Sequence, residues 1–167
     1  AVQAIHEYKR WVFPFLNAMV FTAPMVLPGT YTIKIKVKDK EYTSTVKCIH
    51  DEANKDLSLE DRKLVYEKAM LIQTMYNNVN NTIDSISFYQ KSLKEDTVAY
   101  KKNKNAQLFY EDLQKVKAEF MATKKTSIFA DEERLREKVS KLYGTFCGME
   151  SKPNATHLES IEDLQKE

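Results

Sequence analysis

The chain has 167 residues, with 26 Lys and Arg against 24 Asp and Glu, and its formal net charge of +2 leaves no extended basic footprint for nucleic acid. Its length suits one domain, or one domain with an appendage, and an apolar fraction of 43% allows a core of ordinary size. Three glycines and four prolines are too few for the tight turns of a complete all-β domain, and they suit long helices.

In chain order, the first feature is an uncharged stretch from Trp11 through Ile33, in a sequence that is otherwise rich in charge. A membrane-spanning helix needs about 20 apolar residues in a row. This stretch is broken by Pro14, Pro24, Pro28 and Gly29 and interrupted by Asn17 and Thr22, so no membrane span is expected. The N-terminus also lacks the basic segment, apolar run and small-residue cleavage site of a secretory signal. "EYKRWVFPF" predicts a strand, and "APMVLPG" an extended lead into the next one. In "TYTIKIKVKDKEYTSTVKCI", Tyr31, Ile33, Ile35 and Val37 alternate with Thr32, Lys34, Lys36 and Lys38. A period of two gives one apolar face and one lysine face. Asp39-Lys40 is expected to form the turn, and Tyr42, Val46 and Cys48 to continue on the return strand.

A hairpin alone is marginal in water, and so much apolar surface needs a cover. Trp11, Phe13, Phe15, Phe21, Tyr31, Ile33 and Ile35 are the candidate packing or interface residues of this region. The cover is expected from the helical half, from a second copy, or from strands of a larger polypeptide. Residues 1–50 are therefore read as an incomplete β-module and residues 56–167 as an α-helical bundle.

The helical half opens at "LSLEDRKLVYEKAM", where Ser58 is a predicted N-cap and Asp61, three residues on, completes a capping-box variant. Val65, Ile72, Val79, Ile86 and Leu93 recur every seven residues, with Ala69, Tyr76 and Ile83 between them on the same face. This stripe predicts one helix running to about Tyr100 and supplies the remaining candidate packing residues. The asparagines of "YNNVNNT" are its weak point, where a break is the alternative. After the loop "KKNKN", a second helix is expected with Phe109, Leu113, Val116 and Phe120 inward. A third follows with Leu135, Val139, Leu142 and Phe146 inward, and with Glu132–Arg136 and Glu137–Lys141 pairs on its wet side. Gly148 marks its stop, and a last helix is capped by Asn154 with Leu158, Ile161 and Leu164 inward. The simplest packing sets the long helix antiparallel to the second and third in tandem, with the fourth closing an end.

No motif carries bond chemistry: there is no phosphate-binding glycine loop, HExxH or G-x-S-x-G. His6, His50 and His157 are scattered, and His50 beside Asp51 and Glu52 reads as a polar junction, not as a metal site. Asp131, Glu132 and Glu133, like Glu60 and Asp61, sit at helix starts, where negative charge complements the helix dipole. Lys101, Lys102 and Lys104 make the densest basic stretch and read as a solvated turn. Cys48 and Cys147 are expected as two free thiols, buried or half-buried. No catalytic, cofactor-binding or metal-binding residue is therefore assigned. The sequons at Asn80 and Asn154 have structural readings, mid-helix and at an N-cap.

Three stretches in order, "APMVLPGTYTIKIKVKDKEYTSTVKCIHD", "LREKVSKLYG" and "KPNATHLESIEDLQKE", together span residues 23–167. In that order they resemble the C-terminal region of large bacterial proteins with sortilin-like, BNR-repeat β-propellers, often labelled glycosyl hydrolases. The resemblance implies a mainly α fold: a helical bundle with one long helix, preceded by a small antiparallel β hairpin that ends an immunoglobulin-like module. It implies an exported parent, whose active site would lie in the propeller, so no catalytic residue carries over. The expected function is a C-terminal structural or interaction module that acts by apolar packing against the upstream β-propeller or β-module. Two rival readings are an accessory part of a glycoside hydrolase that shapes its substrate site, and a self-associating helical adaptor.

Overall fold

The computed structural model describes residues 23–51, 57–123 and 132–166. Among them the chain forms one two-stranded antiparallel sheet followed by five helices, a mainly α fold with a β hairpin in front. The strands are β1 (Gly29–Val37) and β2 (Lys40–Cys48). The helices are α1 (Leu59–Glu95), α2 (Thr97–Lys102), α3 (Lys104–Phe120), α4 (Leu135–Cys147) and α5 (Ala155–Lys166). No helix among the described residues is long and apolar enough to cross a membrane.

The expected hairpin forms, with its turn one residue earlier than anticipated. Val37 pairs with Lys40, so the two-residue loop is Lys38-Asp39. Lys38 has φ 55°, the left-handed backbone that primed hairpin turns require and that glycine adopts without steric cost. The right-handed twist of the strands favours such a turn, and a lysine there accepts the strain.

Helix α1 begins as expected. The Ser58 hydroxyl accepts from the Asp61 amide at 3.1 Å and donates to the Asp61 carboxylate at 2.7 Å. That hydrogen bond is the main cause, ahead of Lys152, that draws the Asp61 carboxyl below its ordinary range. The helix runs unbroken for 37 residues, about 55 Å. The asparagines do not interrupt it, because packing supplies what their propensity lacks. Asn80 is buried, donates from Nδ2 to the Tyr76 carbonyl at 2.9 Å, and accepts at Oδ1 from Arg136 Nε at 3.0 Å. The helix ends at Glu95, short of Tyr100, because Asp96 leaves helical backbone (φ −95°, ψ 89°) and caps the separate α2. Its carboxylate accepts from the Val98 and Ala99 amides at 3.1 and 2.9 Å. Asn103 repeats the device for α3, accepting from the Asn105 and Ala106 amides.

The helices pack as two runs side by side. Contacts from Gln73 to Tyr143 and from Asn80 to Arg136 show α4 antiparallel to the first half of α1. Contacts from Ser87 to Lys117 and from Lys94 to Tyr110 show α3 antiparallel to the second half. Glu137 joins the tandem pair: its Oε2 accepts from the Ala122 amide at the end of α3 and from the Arg134 amide at the start of α4. Glu137 therefore faces inward, and Lys141 pairs with Glu133 in place of the expected Glu137. Gly148 caps α4, as expected, with its amide on the Gly144 carbonyl. Asn154 caps α5, accepting from the His157 amide at 2.9 Å.

The core lies where α1, α4 and α5 meet. Leu57, Val65, Ala69, Ile72, Val139, Tyr143, Phe146, Cys147, Met149 and Ile161 are buried there, and Leu135, Leu142 and Leu164 are packed against them. The second half of α1 has a thinner core. Val79, Ile83, Ile86 and Gln90 are buried, but no residue of α3 is. The inward face of α3 also differs from expectation. Tyr110, Leu113, Lys117 and Phe120 are half-buried, while Phe109 and Val116 are 50% and 43% exposed. Contacts of Tyr110 with Lys94 and of Lys117 with Ser87 turn the helix, so an aromatic hydroxyl and a lysine stem occupy the seam.

Candidate interaction surface

The strand register sorts the hairpin side chains into two faces. Tyr31 stands opposite Val46, Ile33 opposite Ser44, Ile35 opposite Tyr42 and Val37 opposite Lys40. These pairs form the apolar face. Thr30 with Lys47, Thr32 with Thr45, Lys34 with Thr43 and Lys36 with Glu41 form the polar one. A Lys34–Glu41 ion pair at 3.3 Å laces the polar face diagonally. Being exposed, that pair adds little to stability, and its use is to keep the face wet.

The apolar face is exposed. Ile33 is 45% exposed, Ile35 55%, Val37 54%, Tyr42 56% and Val46 42%. Cross-strand β-branched and aromatic pairs stabilise a sheet only where they pack against one another or against a second layer. Here the first is met and the second is not. Tyr31 is half-buried, and its hydroxyl donates to the Leu27 carbonyl at 2.6 Å, which fixes the lead-in against the strand. Farther back along the lead-in, Pro24 and Met25 reach the helical core beside Arg62, Val65, Phe146 and Met149. The lead-in thus touches the helical half at Pro24 and at Met25, which stays 40% exposed with its sulfur 3.9 Å from Arg62, before the chain enters the hairpin. Both strands keep one edge without a partner strand among the described residues.

At the base of the hairpin an open cleft of about 830 Å³ is lined by Pro28, Gly29, Lys47, Cys48, Ile49, His50 and Asp51. Ile49 is 77% exposed, and the Nδ1 of His50 is buried without a hydrogen-bond partner. No group of three or more His, Cys, Asp or Glu among the described residues could hold a metal ion. Neither cysteine is in a disulfide, and Cys48 is half-buried and Cys147 buried, as the sequence led us to expect.

The candidate packing residues divide into three sets. Trp11, Phe13, Phe15, Phe21 and the expected first strand lie outside the described residues. Tyr31, Ile33 and Ile35 share the exposed face, where the register adds Val37, Tyr42 and Val46. Val65, Ile72, Val79 and Ile86 are buried inside the chain and Leu93 is half-buried, so the α1 stripe is used against α4 and α3. The alternation that marked β1 extends across the turn to β2, and this signal locates Tyr42 and Val46 once the register is known.

Other perturbed groups are structural. The Tyr143 hydroxyl is pushed up to about 12, chiefly by burial, and accepts a hydrogen bond from Gln73 at 3.0 Å. Tyr110 is lowered, first by its contact with Lys94, whose ammonium lies 3.9 Å from the ring centroid. The Cys147 thiol lies beside the Tyr143 hydroxyl and adds to its upward shift, within the packed core of α1 and α4. Comparison with protein families, with curated proteins and with solved structures finds no match to this chain.

Proposed function

We propose that this chain is a C-terminal interaction module of a larger exported β-propeller protein, docking by its hairpin onto β-structure of that polypeptide. The observation that carries the reading is the exposed apolar face of Ile33, Ile35, Val37, Tyr42 and Val46, which half-buried Tyr31 continues. The helices keep a core of their own and make no use of this face. A flat, twisted face of alternating aliphatic and aromatic side chains fits the inner face of a second sheet, as in a β-sandwich. The open strand edges would let the same partner add strands in register. In this mechanism the lead-in touches the helical half at Pro24 and Met25, and the hairpin reaches out to its partner.

The test is to read the coding frame upstream of Ala1, express the β-rich segment it encodes, and titrate it against residues 1–167. The expected result is a stable complex that Ile35→Lys weakens by about a hundredfold, since a buried unpaired charge costs several kcal/mol. An upstream frame with no β-module, or binding indifferent to Ile35→Lys, would overturn the proposal. Light scattering of the chain alone separates self-association: a dimer dispersed by Ile35→Lys would assign the face to a second copy.

A further inference from the structure

The far end of the helix pair carries a second surface, of different chemistry and independent of the hairpin. Between Phe88 and Tyr110 the chain holds Lys91, Lys94, Lys101, Lys102 and Lys104 against only Glu95 and Asp96. The protein has a formal net charge of only +2, and this tip is one of two places where positive charge gathers, the other being the hairpin with Lys34, Lys36, Lys38, Lys40 and Lys47 against Asp39 and Glu41. The Asp96 carboxylate is occupied by the Val98 and Ala99 amides.

Exposed apolar side chains interleave with these lysines. Val98 is 63% exposed, one turn before Lys101 and Lys102 on α2. Leu108 is 58% exposed, one turn after Lys104 on the outward face of α3. The surface is held in shape from behind. Gln107 Nε2 donates to the Tyr100 and Lys101 carbonyls at 3.1 and 2.9 Å, which satisfies the end of α2. Tyr100 stacks edge-on against Tyr110 at 5.9 Å, and Lys94 covers the Tyr110 ring. The end groups of α2 and α3 that these bonds and the Asp96 and Asn103 caps satisfy need no water when the tip docks, while the lysine heads stay at the polar boundary.

A polyanion would reward the lysines and leave Val98 and Leu108 wet. An anionic bilayer rewards both, because lysine stems reach headgroups while apolar side chains enter the acyl boundary beneath. We propose that the tip of the helix pair, from the end of α1 through α2 to the start of α3, docks peripherally onto an anionic lipid surface. It does not span the bilayer.

The test is flotation of the full 167-residue chain with vesicles rich in phosphatidylglycerol, against vesicles of phosphatidylcholine alone, at low and high salt. Association is expected with the anionic vesicles only and should fall with salt. Lys101→Gln/Lys102→Gln/Lys104→Gln should weaken it by about a hundredfold, at roughly fivefold for each lysine near the surface. Val98→Ser/Leu108→Ser should weaken it by about tenfold. All five positions are exposed, so circular dichroism should show the helices intact. Ile35→Lys on the hairpin should leave association unchanged. The proposal is overturned by absence of association with anionic vesicles, by equal association with neutral ones, or by loss with Ile35→Lys in place of the tip variants. It is also overturned if an anionic polymer binds as tightly as the vesicles and the Val98/Leu108 variant makes no difference.

Discussion

The two halves of the helix pair share one continuous helix but differ in what they bury. Along its first half, α1 meets α4 while α5 closes from the side, and Ala69, Ile72, Val139, Phe146 and Ile161 are all at most 1% exposed. Along its second half, α1 meets α3 alone. Two helices have too little surface to enclose side chains on both members, and Phe109 and Val116 stay in water. The amphipathic period is the same throughout α1. Core depth therefore follows from the number of layers, and a helix stripe reports only that some layer is present.

The largest expected effect sharpens this contrast with a single residue type. Phe146→Ala should cost about 3–5 kcal/mol in urea unfolding, because it empties a fully enclosed site. Phe109→Ala should stay within about 0.5 kcal/mol, since the ring is half in water already. Equal costs at the two positions would dissolve the distinction between the halves.

Alkaline pH offers a second handle on the first half. Tyr143 holds its proton to about 12 in the folded chain, against about 10 unfolded. Its contribution is fully present below pH 10 and is lost as pH rises from about 10 to 12, where the unfolded chain releases the proton first. The loss should be on the order of 1–2 kcal/mol, because the ring is buried and its hydroxyl only partly so. Tyr143→Phe should remove that alkaline limb from a stability-against-pH curve.

Smaller gains are expected where the thin half and the hairpin carry strain. Gln90 occupies a seam position of α1 with its Nε2 buried and without a hydrogen-bond partner. Gln90→Met should raise stability by about 1 kcal/mol, by removing a desolvated donor at similar volume. Lys38→Gly should give about 1 kcal/mol or less, read as slower exchange of hairpin amides, because glycine takes φ 55° freely.

Much of this architecture was legible in the residues. The heptad of Val65, Ile72, Val79 and Ile86 located α1, and Ser58, Gly148 and Asn154 marked helix ends that the structure keeps. The rest depended on contacts between segments distant in sequence. Asn80 is a poor helix former whose cost is met by Arg136, 56 residues away. Lys117 and Tyr110 look like surface residues until Ser87 and Lys94 are placed beside them. At the hairpin, the period of two identified the apolar face without its boundaries. A turn displaced by one residue re-paired the strands, so that Ile35 stands opposite Tyr42 and Ser44 opposite Ile33, with the side chains on each face unchanged. That the face remains exposed is a fact of tertiary packing, which periodicity does not carry.

The central claim is that the apolar face of the hairpin belongs to a partner and not to the core of this chain. It is tested most directly by urea unfolding of Ile33→Thr/Ile35→Thr beside the parent chain, followed by the helical signal. The account expects the two curves to agree within about 0.5 kcal/mol, because exposed side chains are being exchanged for residues of equal strand preference. A loss of about 3 kcal/mol or more would mean that these side chains are buried in the native chain, and would contradict the account.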